Sequence, residues 1–438
     1  VSAVTKLLPA LQKNDFRHDR RTTPLVRIDA SFWKEFAETY WEKQAQVFKN
    51  ISSPLLELDQ NEIFLLLVLY SDRCRKSKNA EGMKFYVDGH RQFETETLRL
   101  LPKKSDRTLA GYHERMSELF PDYCLVCDEL LQVNHTKQDK LIEFTRELYR
   151  AVGFPNRFAE MGLYLGNYRK TPFGVHVDGC GVFSFPVAGK KTFRIWKPDY
   201  VSLHPKLEQA FSYAKHKAHS QVLTARPGDM TYWPSQDWHI AESDGSFSAT
   251  WSLGVWVDQK HSEDFAKILT ALVSQMIGHD AASGMTTFKS LHSETGEVTA
   301  LPELYKRSIE SLRQISREQL DETFLKAWMS HTSKLAFKNR PPSDFSITRK
   351  SVIRLRSLHA PIQWMRSPID RKIYYSFAGV LTEGSNSKSL LSLIQKMNNG
   401  EVISVATFVK ATDVNEFESL SRLAAAGAFA ASRKPSKR

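Results

Sequence analysis

His176-Val177-Asp178 and, further along the chain, Trp238-His239 offer two imidazoles and one carboxylate. Such a set can occupy one face of an octahedral iron(II) and leave three positions open, enough for a bidentate ligand and oxygen. His176 and Asp178 are two residues apart, so on an extended segment they point to the same side. One strand cannot wrap an octahedral ion, so the second imidazole has to return from elsewhere. Pro227-Gly228-Asp229 reads as a turn, Met230–Trp233 as the strand after it, and Pro234 to Asp237 as a loop delivering His239. Alone, a His-x-Asp occurs by chance in many proteins, and His239 could be an ordinary strand-end histidine.

Lys191 lies 15 residues after His176, just past Gly189, which is read as a hairpin turn. Lys191, Phe193 and Ile195 share one face of the return strand. A lysine among apolar neighbours is costly to bury without an anion, and a keto diacid chelating a metal would need a cation at its far end. The opposite parity, with Lys190 or Arg194 facing inward, stays open at this point. Three more histidines, His204, His216 and His219, fall on an expected helix within 198–221, where an exposed face is the simpler reading.

The elements that must hold these groups are short. Met161–Leu165, Val182–Val187, Thr192–Trp196, Met230–Trp233, His239–Ser243 and Phe247–Val257 alternate with Gly and Pro turns, the pattern of an all-β unit. Asp244-Gly245 is expected to close a hairpin between the last two. Pro186 inside a strand implies an edge or a bulge. Before this unit the pattern is mainly helical, with apolar stripes at Phe32, Phe36 and Tyr40 and over 138–152. After it, 262–338 is helical again, Arg340-Pro341-Pro342 marks a linker, and the last hundred residues mix strands (Ile353–Leu355, Ile373–Phe377) with helices (Leu390–Met397, Phe417–Ala426) in an order that suits a winged helix. The expected fold is α+β: a double-stranded β-helix core over 159–260 with an insertion at 198–221, a helical N-terminal region 1–158, a helical dimerisation region 261–339 and a basic winged-helix-like domain 340–438 with a disordered tail.

Composition restricts the class. The 438 residues carry a net charge of +12, and residues 340–438 hold 16 Lys and Arg against 7 Asp and Glu. That end should attract nucleic acid or an acidic peptide, unless it is simply a solvated basic surface. Four cysteines argue against a disulfide framework and for a reducing compartment. Cys124 and Cys127 read as two small apolar residues of a helix. The first 20 residues are basic without an apolar core, and the longest apolar run, Ile63–Tyr70, is too short to cross a bilayer, so a cytoplasmic location with no membrane association is expected.

His176-x-Asp178, Lys191 and the stretch from Pro227-Gly228-Asp229 to Trp238-His239 resemble the Jumonji-C branch of the cupin-like iron(II), 2-oxoglutarate oxygenases. Ala188-Gly189-Lys190-Lys191-Thr192-Phe193-Arg194 is similar to the family segment whose basic residue binds the 5-carboxylate of 2-oxoglutarate. Tyr40-Trp41-Glu42-Lys43 and the order of domains resemble the ribosomal oxygenase-type protein hydroxylases of the same branch. Related hydroxylases place a co-substrate-binding Thr three residues before the first His; Phe173 stands there, and Thr171 is two residues out of register.

The resemblance implies iron(II) held by His176, Asp178 and His239, and 2-oxoglutarate held by Lys191, with Thr171 the nearby candidate for the family's threonine. Tyr164 and Ser184 lie near these motifs in sequence and could line the co-substrate pocket. The resemblance implies hydroxylation of a C–H bond of a peptide or protein side chain, in a ribosomal protein or a ribosomally made precursor peptide, with release of succinate and CO2. It also implies a homodimer, and a ribosome or nucleic-acid contact through the basic C-terminal domain. Tyr232 and Trp251 lie near the same motifs, where core packing is the simpler role. Hydroxylation of a small molecule, or a nucleic-acid-binding scaffold with a vestigial cupin, are the competing readings.

Overall fold

The computed structural model describes residues 24–52, 59–80, 82–277, 301, 303–338, 343, 345–411 and 415–431. Two antiparallel sheets face each other. The larger has eight strands in the order Gln46–Phe48, Met230–Trp233, Cys180–Ala188, Ser248–Trp256, Ala159–Gly166, Tyr123–Asp128, Met83–Val87 and His90–Arg91. The smaller has three, Gln221–Ala225, Lys191–Trp196 and Trp238–Glu242. Cys180, Val182 and Trp233 of the large sheet pack against Phe193, Ile195, Leu223 and Ala241 of the small one. Alternate residues of the large sheet, Phe183, Phe185, Leu163 and Trp251, point the other way into a second core. Helices Ala30–Thr39 and His135–Val152 cover that face, with Trp33 and Phe144 edge-on to each other and to Phe183. The result is the expected double-stranded β-helix.

Both expected hairpins are overturned. Cys180–Ala188 pairs only with strands of the large sheet, and Lys191–Trp196 only with strands of the small one. The turn at Gly189 therefore carries the chain from one sheet to the other. The Asp244-Gly245 turn does the same between Trp238–Glu242 and Ser248–Trp256. The two crossings touch: a Cβ on Gly189, whose φ is +70°, would lie 2.4 Å from the Phe247 carbonyl oxygen. A tight turn reverses the chain in either case; its local residues do not say which sheet receives the next strand. Pro186 sits where the register slips by one residue opposite Ala249 and Thr250, in a central strand, so the bulge is the correct alternative.

The N-terminal region is mixed rather than mainly helical. Gln46–Phe48, Met83–Val87, His90–Arg91 and Tyr123–Asp128 extend the large sheet. Cys124 and Cys127 lie on the last of these strands, not on a helix, as buried free thiols whose pKa values burial pushes up. The insertion 198–221 contains one short helix, Pro198–Ser202, and two 3-10 turns instead of a longer helix. His204 and His216 are half-buried, with their rings packed around Tyr200; only His219 is exposed.

Beyond the core, helices His261–Ile277, Glu303–Arg313 and Arg317–Ser333 occupy the region read as helical. The expected linker at Arg340-Pro341-Pro342 and the tail Arg433–Arg438 lie outside the described residues. The C-terminal unit has Val352–Leu355 between Ile403–Ser404 and Phe429–Ala431, and helices Lys388–Asn398, Val405–Ala411 and Asn415–Ala425. The expected strand Ile373–Phe377 is the middle of a meander whose outer strands, Gln363–Arg366 and Val380–Gly384, were not foreseen. Among the described residues no helix is long and apolar enough to cross a membrane.

Candidate active site

His176 and His239 meet as a reciprocal backbone pair. The His176 N–H donates to the His239 carbonyl at 3.0 Å, and the His239 N–H donates back at 2.7 Å. This bridge sets their rings 4.3 Å apart. Asp178 Oδ2 lies 3.6 Å from His239 Nε2 and 3.9 Å from His176 Nε2. Each Nδ1 faces a carbonyl, Gly174 O at 3.0 Å for His176 and Asp237 O at 3.3 Å for His239. A carbonyl only accepts, so Nδ1 carries the proton and Nε2 presents a lone pair toward Asp178. The three ligand atoms lie within 4.8 Å of one another, a spacing that can hold one ion. Burial, and then His176, push the His239 pKa well down, so His239 is neutral as a ligand must be. Burial pushes Asp178 up, partly opposed by His176, and a cation at this point relieves that cost.

Both ligand segments are held from behind. Val175 is fully buried, and its backbone is bonded on both sides by the insertion: its N–H to Ala210 O at 3.0 Å, its carbonyl from Gln209 N at 2.7 Å. Val201, Leu207 and Tyr213 of the insertion pack with Val175, Trp196 and Ile240 on the outer side of the small sheet. No residue of 198–221 is among those lining the cavity, and the insertion braces the His176 segment through these backbone bonds. On the other side, the loop before His239 is tied to the N-terminal segment. Ser235 N–H and hydroxyl donate to the Glu42 carboxylate, the hydroxyl at 2.5 Å, and Lys197 pairs with buried Asp237 at 2.8 Å. The Tyr-Trp-Glu-Lys segment thus supports the last ligand.

The brace makes a testable demand on Gly174. Its φ is +69°, and a Cβ there would lie 2.6 Å from the Gln209 carbonyl oxygen. Gly174→Ala is expected to displace either the insertion or the His176 segment and to weaken metal binding by about 10–100-fold, the range for groups that orient a ligand. Titration with cobalt(II) measures this; an unchanged affinity would show that the brace does not set the ligand geometry.

A cavity of about 150 Å³ opens beside the three ligands, and Lys191, Tyr168, Thr171, Tyr164, Trp233 and Thr250 help to line it. Lys191 is 2% exposed. Its ammonium donates to the Tyr168 hydroxyl and sits 3.9 Å from the centre of that ring, with no carboxylate in salt-bridge reach among the described residues. Burial pulls its pKa down to about 7. The indole Nε1 of Trp233 and the hydroxyl of Thr250, both facing this space, also lack protein partners. A buried cation without an anion, next to two unmatched polar atoms and three metal-type ligands, is a cavity shaped for an anionic chelator.

The parity left open by the sequence resolves toward Lys191. Lys190 is half-buried and reaches Asp244 at 3.7 Å, and Arg194 pairs with Glu242 at 2.8 Å on the other face. Thr171 lines the cavity, but its hydroxyl accepts from Ala241 N–H at 3.3 Å, and Phe173 lies edge-on to His176. Tyr164 lines it too. Ser184 does not: it follows Cys180 and Val182 on the inward face but is buried one step beyond the cavity. Tyr232 and Trp251 point into the other core, as core residues. Sequence reasoning missed Tyr168, Trp233, Thr250, Asp128 and Glu160. Glu160, Gly162 and Tyr164 alternate along one strand and all line the cavity, so the period-two pattern held the signal for Glu160. Asp128 ends a strand read as helical and carried no such signal.

A double-stranded β-helix with two histidines and an aspartate in its mouth defines the class of cupin-type mononuclear metal enzymes. Residues 138–263 match the family model of the JmjC domain. These residues therefore carry a JmjC domain, and the ligand set there suits iron(II). The match begins earlier than the expected boundary at 159, because helix His135–Val152 is part of it. No curated protein matches this chain in sequence. Among solved structures, the Escherichia coli ribosomal oxygenase YcfD aligns with a TM-score of 0.51 at 16% identity, covering 91% of this chain and 98% of that one. YcfD in complex with cobalt and 2-oxoglutarate aligns at 0.50 and 16% identity over 92% and 98%. The likeness is one of fold.

Proposed function

We propose that this protein hydroxylates a C–H bond of a basic side chain (arginine, lysine or histidine) carried by a protein or peptide. The observation behind this reading is the acidic wall of the cavity: Asp128, Glu129 and Glu160 line its mouth beside the metal ligands. Glu160 accepts from the Trp256 indole at 3.2 Å, and burial pushes its pKa up, a cost that a cationic guest would remove. Asp128 is held by Lys84 at 2.6 Å and stays half-exposed toward the opening. A side chain with positive charge is drawn into such a throat, and an acidic one is repelled.

His176, Asp178 and His239 hold the iron(II). Lys191, backed by Tyr168, takes the distal carboxylate of 2-oxoglutarate, and Thr250, Trp233, Tyr164 and Thr171 enclose its body. When bound, iron(II) and 2-oxoglutarate supply the oxidising power: one atom of O2 enters the substrate and the other leaves in succinate, with release of CO2. The apolar faces of Phe193, Val182 and Trp233 keep water from the bound diacid. That YcfD is described as a ribosomal oxygenase, and is seen with cobalt and 2-oxoglutarate, supports a macromolecular substrate and this co-substrate.

The basic C-terminal unit and the acidic throat serve different parts of the target. The first, with its helices and three-stranded sheet in winged-helix order, docks an acidic surface such as ribosomal RNA or an acidic peptide segment; the second admits the residue to be oxidised. Exposed Phe265, Tyr305, Ile309, Leu312, Leu325 and Trp328 on the three helices after the core support a dimer there.

The test compares proteins from cells carrying the wild-type enzyme and the His176→Ala variant by mass spectrometry. The expected result is a one-oxygen increment on an arginine, lysine or histidine, present only with the wild type. An increment confined to a metabolite would refute the macromolecular reading, and one on an acidic or apolar residue would refute the basic-side-chain reading.

A further inference from the structure

The acidic wall has a second side. Asp128, Glu129 and Glu160 also line a larger chamber of about 670 Å³, so the metal cavity and this chamber share one partition. The remaining wall of the chamber has the opposite charge. Arg73 from helix Gln60–Ser77, Arg91 from the edge strand His90–Arg91, Lys84 and Lys338 all face it. Lys84 is committed to Asp128, and Lys338 lies 5.3 Å from the Phe158 ring. Arg73 and Arg91 are exposed and form no ion pair among the described residues, whereas the adjacent Arg75 is paired with Asp72 at 3.0 Å. Two unpaired guanidiniums therefore line the same chamber as the acidic residues that also line the cavity of His176, Asp178 and His239.

This chamber is several times larger than the cavity at the ligands, too large for one side chain and suited to the residues on either side of it. A peptide with its basic side chain through the partition leaves its neighbours beside Arg73 and Arg91. We propose that the chamber is the docking groove for the residues flanking the oxidised one, and that Arg73 and Arg91 select an acidic side chain there. The groove thus reads a charge pair: a basic residue to be oxidised, with an aspartate or glutamate close to it in the chain. This rests on the basic-side-chain reading above. Arg is suited to the task, because its planar fork can hold a carboxylate in a bidentate way.

The test uses the full chain with iron(II), 2-oxoglutarate and a synthetic peptide library. A central arginine, lysine or histidine is fixed, and the three positions on each side are randomised. Products with one added oxygen are sorted by mass spectrometry. Aspartate and glutamate should be enriched at a flanking position by roughly threefold to tenfold, the size expected of two partly exposed charge pairs. The Arg73→Glu/Arg91→Glu protein should enrich lysine and arginine at that position instead. Arg73→Gln/Arg91→Gln, a milder change, should lose the preference, and a thermal midpoint equal to wild type confirms its fold. Oxidation with no dependence on flanking charge would overturn the proposal and leave the basic-side-chain reading intact. If no library member is oxidised while succinate is still released, the basic-side-chain reading fails and the proposal falls with it.

Discussion

Asp178→Ala lowers iron(II) affinity by more than about 100-fold and brings succinate release to background. Changes to groups that merely orient a metal ligand already cost about 10–100-fold, and Asp178 supplies the only negative charge of the set. Its Oδ2 is the point toward which both Nε2 atoms converge, at 3.6 and 3.9 Å. Without it, two neutral imidazoles remain, one of them buried and pushed away from protonation. The fold should survive, because the His176–His239 bridge is made by backbone atoms and Asp178 is not part of the apolar core. Anaerobic metal titration and circular dichroism together check this. Retained affinity with lost turnover would place the ion elsewhere.

Lys191→Ala raises the dissociation constant for 2-oxoglutarate by roughly 30- to 3,000-fold, with metal binding preserved. Truncating one partner of a buried charge pair costs about 2–5 kcal/mol, and each 1.4 kcal/mol is tenfold. The same lysine predicts a pH dependence. Burial lowers its pKa to about 7 in the ligand-free protein. The ammonium is the form that binds a carboxylate, so below pH 7 it is ready. Above pH 7 it must first take up a proton. At saturating metal, 2-oxoglutarate affinity should therefore fall by up to tenfold per pH unit above about 7. In Lys191→Ala the affinity should be weak and this fall should vanish. Calorimetry across pH 6–9 reads both effects. A wild-type affinity that stays flat would mean that the distal carboxylate rests on the unmatched hydroxyl and indole rather than on the lysine.

Much of the site was legible because it is local. His176 and Asp178 are a parity pair, and the Pro-Gly-Asp turn announces the strand before His239. The inward choice of Lys191 was not legible, because Lys190, Lys191 and Arg194 are equivalent until Glu242 and Asp244 appear as partners outside the barrel. The two sheet crossings at Gly189 and Asp244-Gly245 looked like hairpins for a related reason. A turn encodes reversal, and the pairing of the strands it joins is decided by distant residues. Tyr123–Asp128 was misread as helical because it is buried on both faces, so its apolar run has no alternation to show. Of the acidic throat only Glu160 carried a signal, through its parity with Tyr164. Asp128 and Glu160 belong to different strands, and only the order of the large sheet brings them to one opening. The insertion was open to several roles until the Val175 backbone bonds showed what it holds.

The most direct test of the central claim is succinate release from 2-oxoglutarate by the purified chain in the presence of iron(II) and oxygen, alongside the His176→Ala variant. The wild type should form succinate and CO2 in equal amounts, at least by slow uncoupled turnover, and should stop when the metal is chelated. His176→Ala should form none above background. Absence of succinate from the iron-loaded wild type, or equal release from the variant, would contradict the assignment of this site as the oxygenase centre.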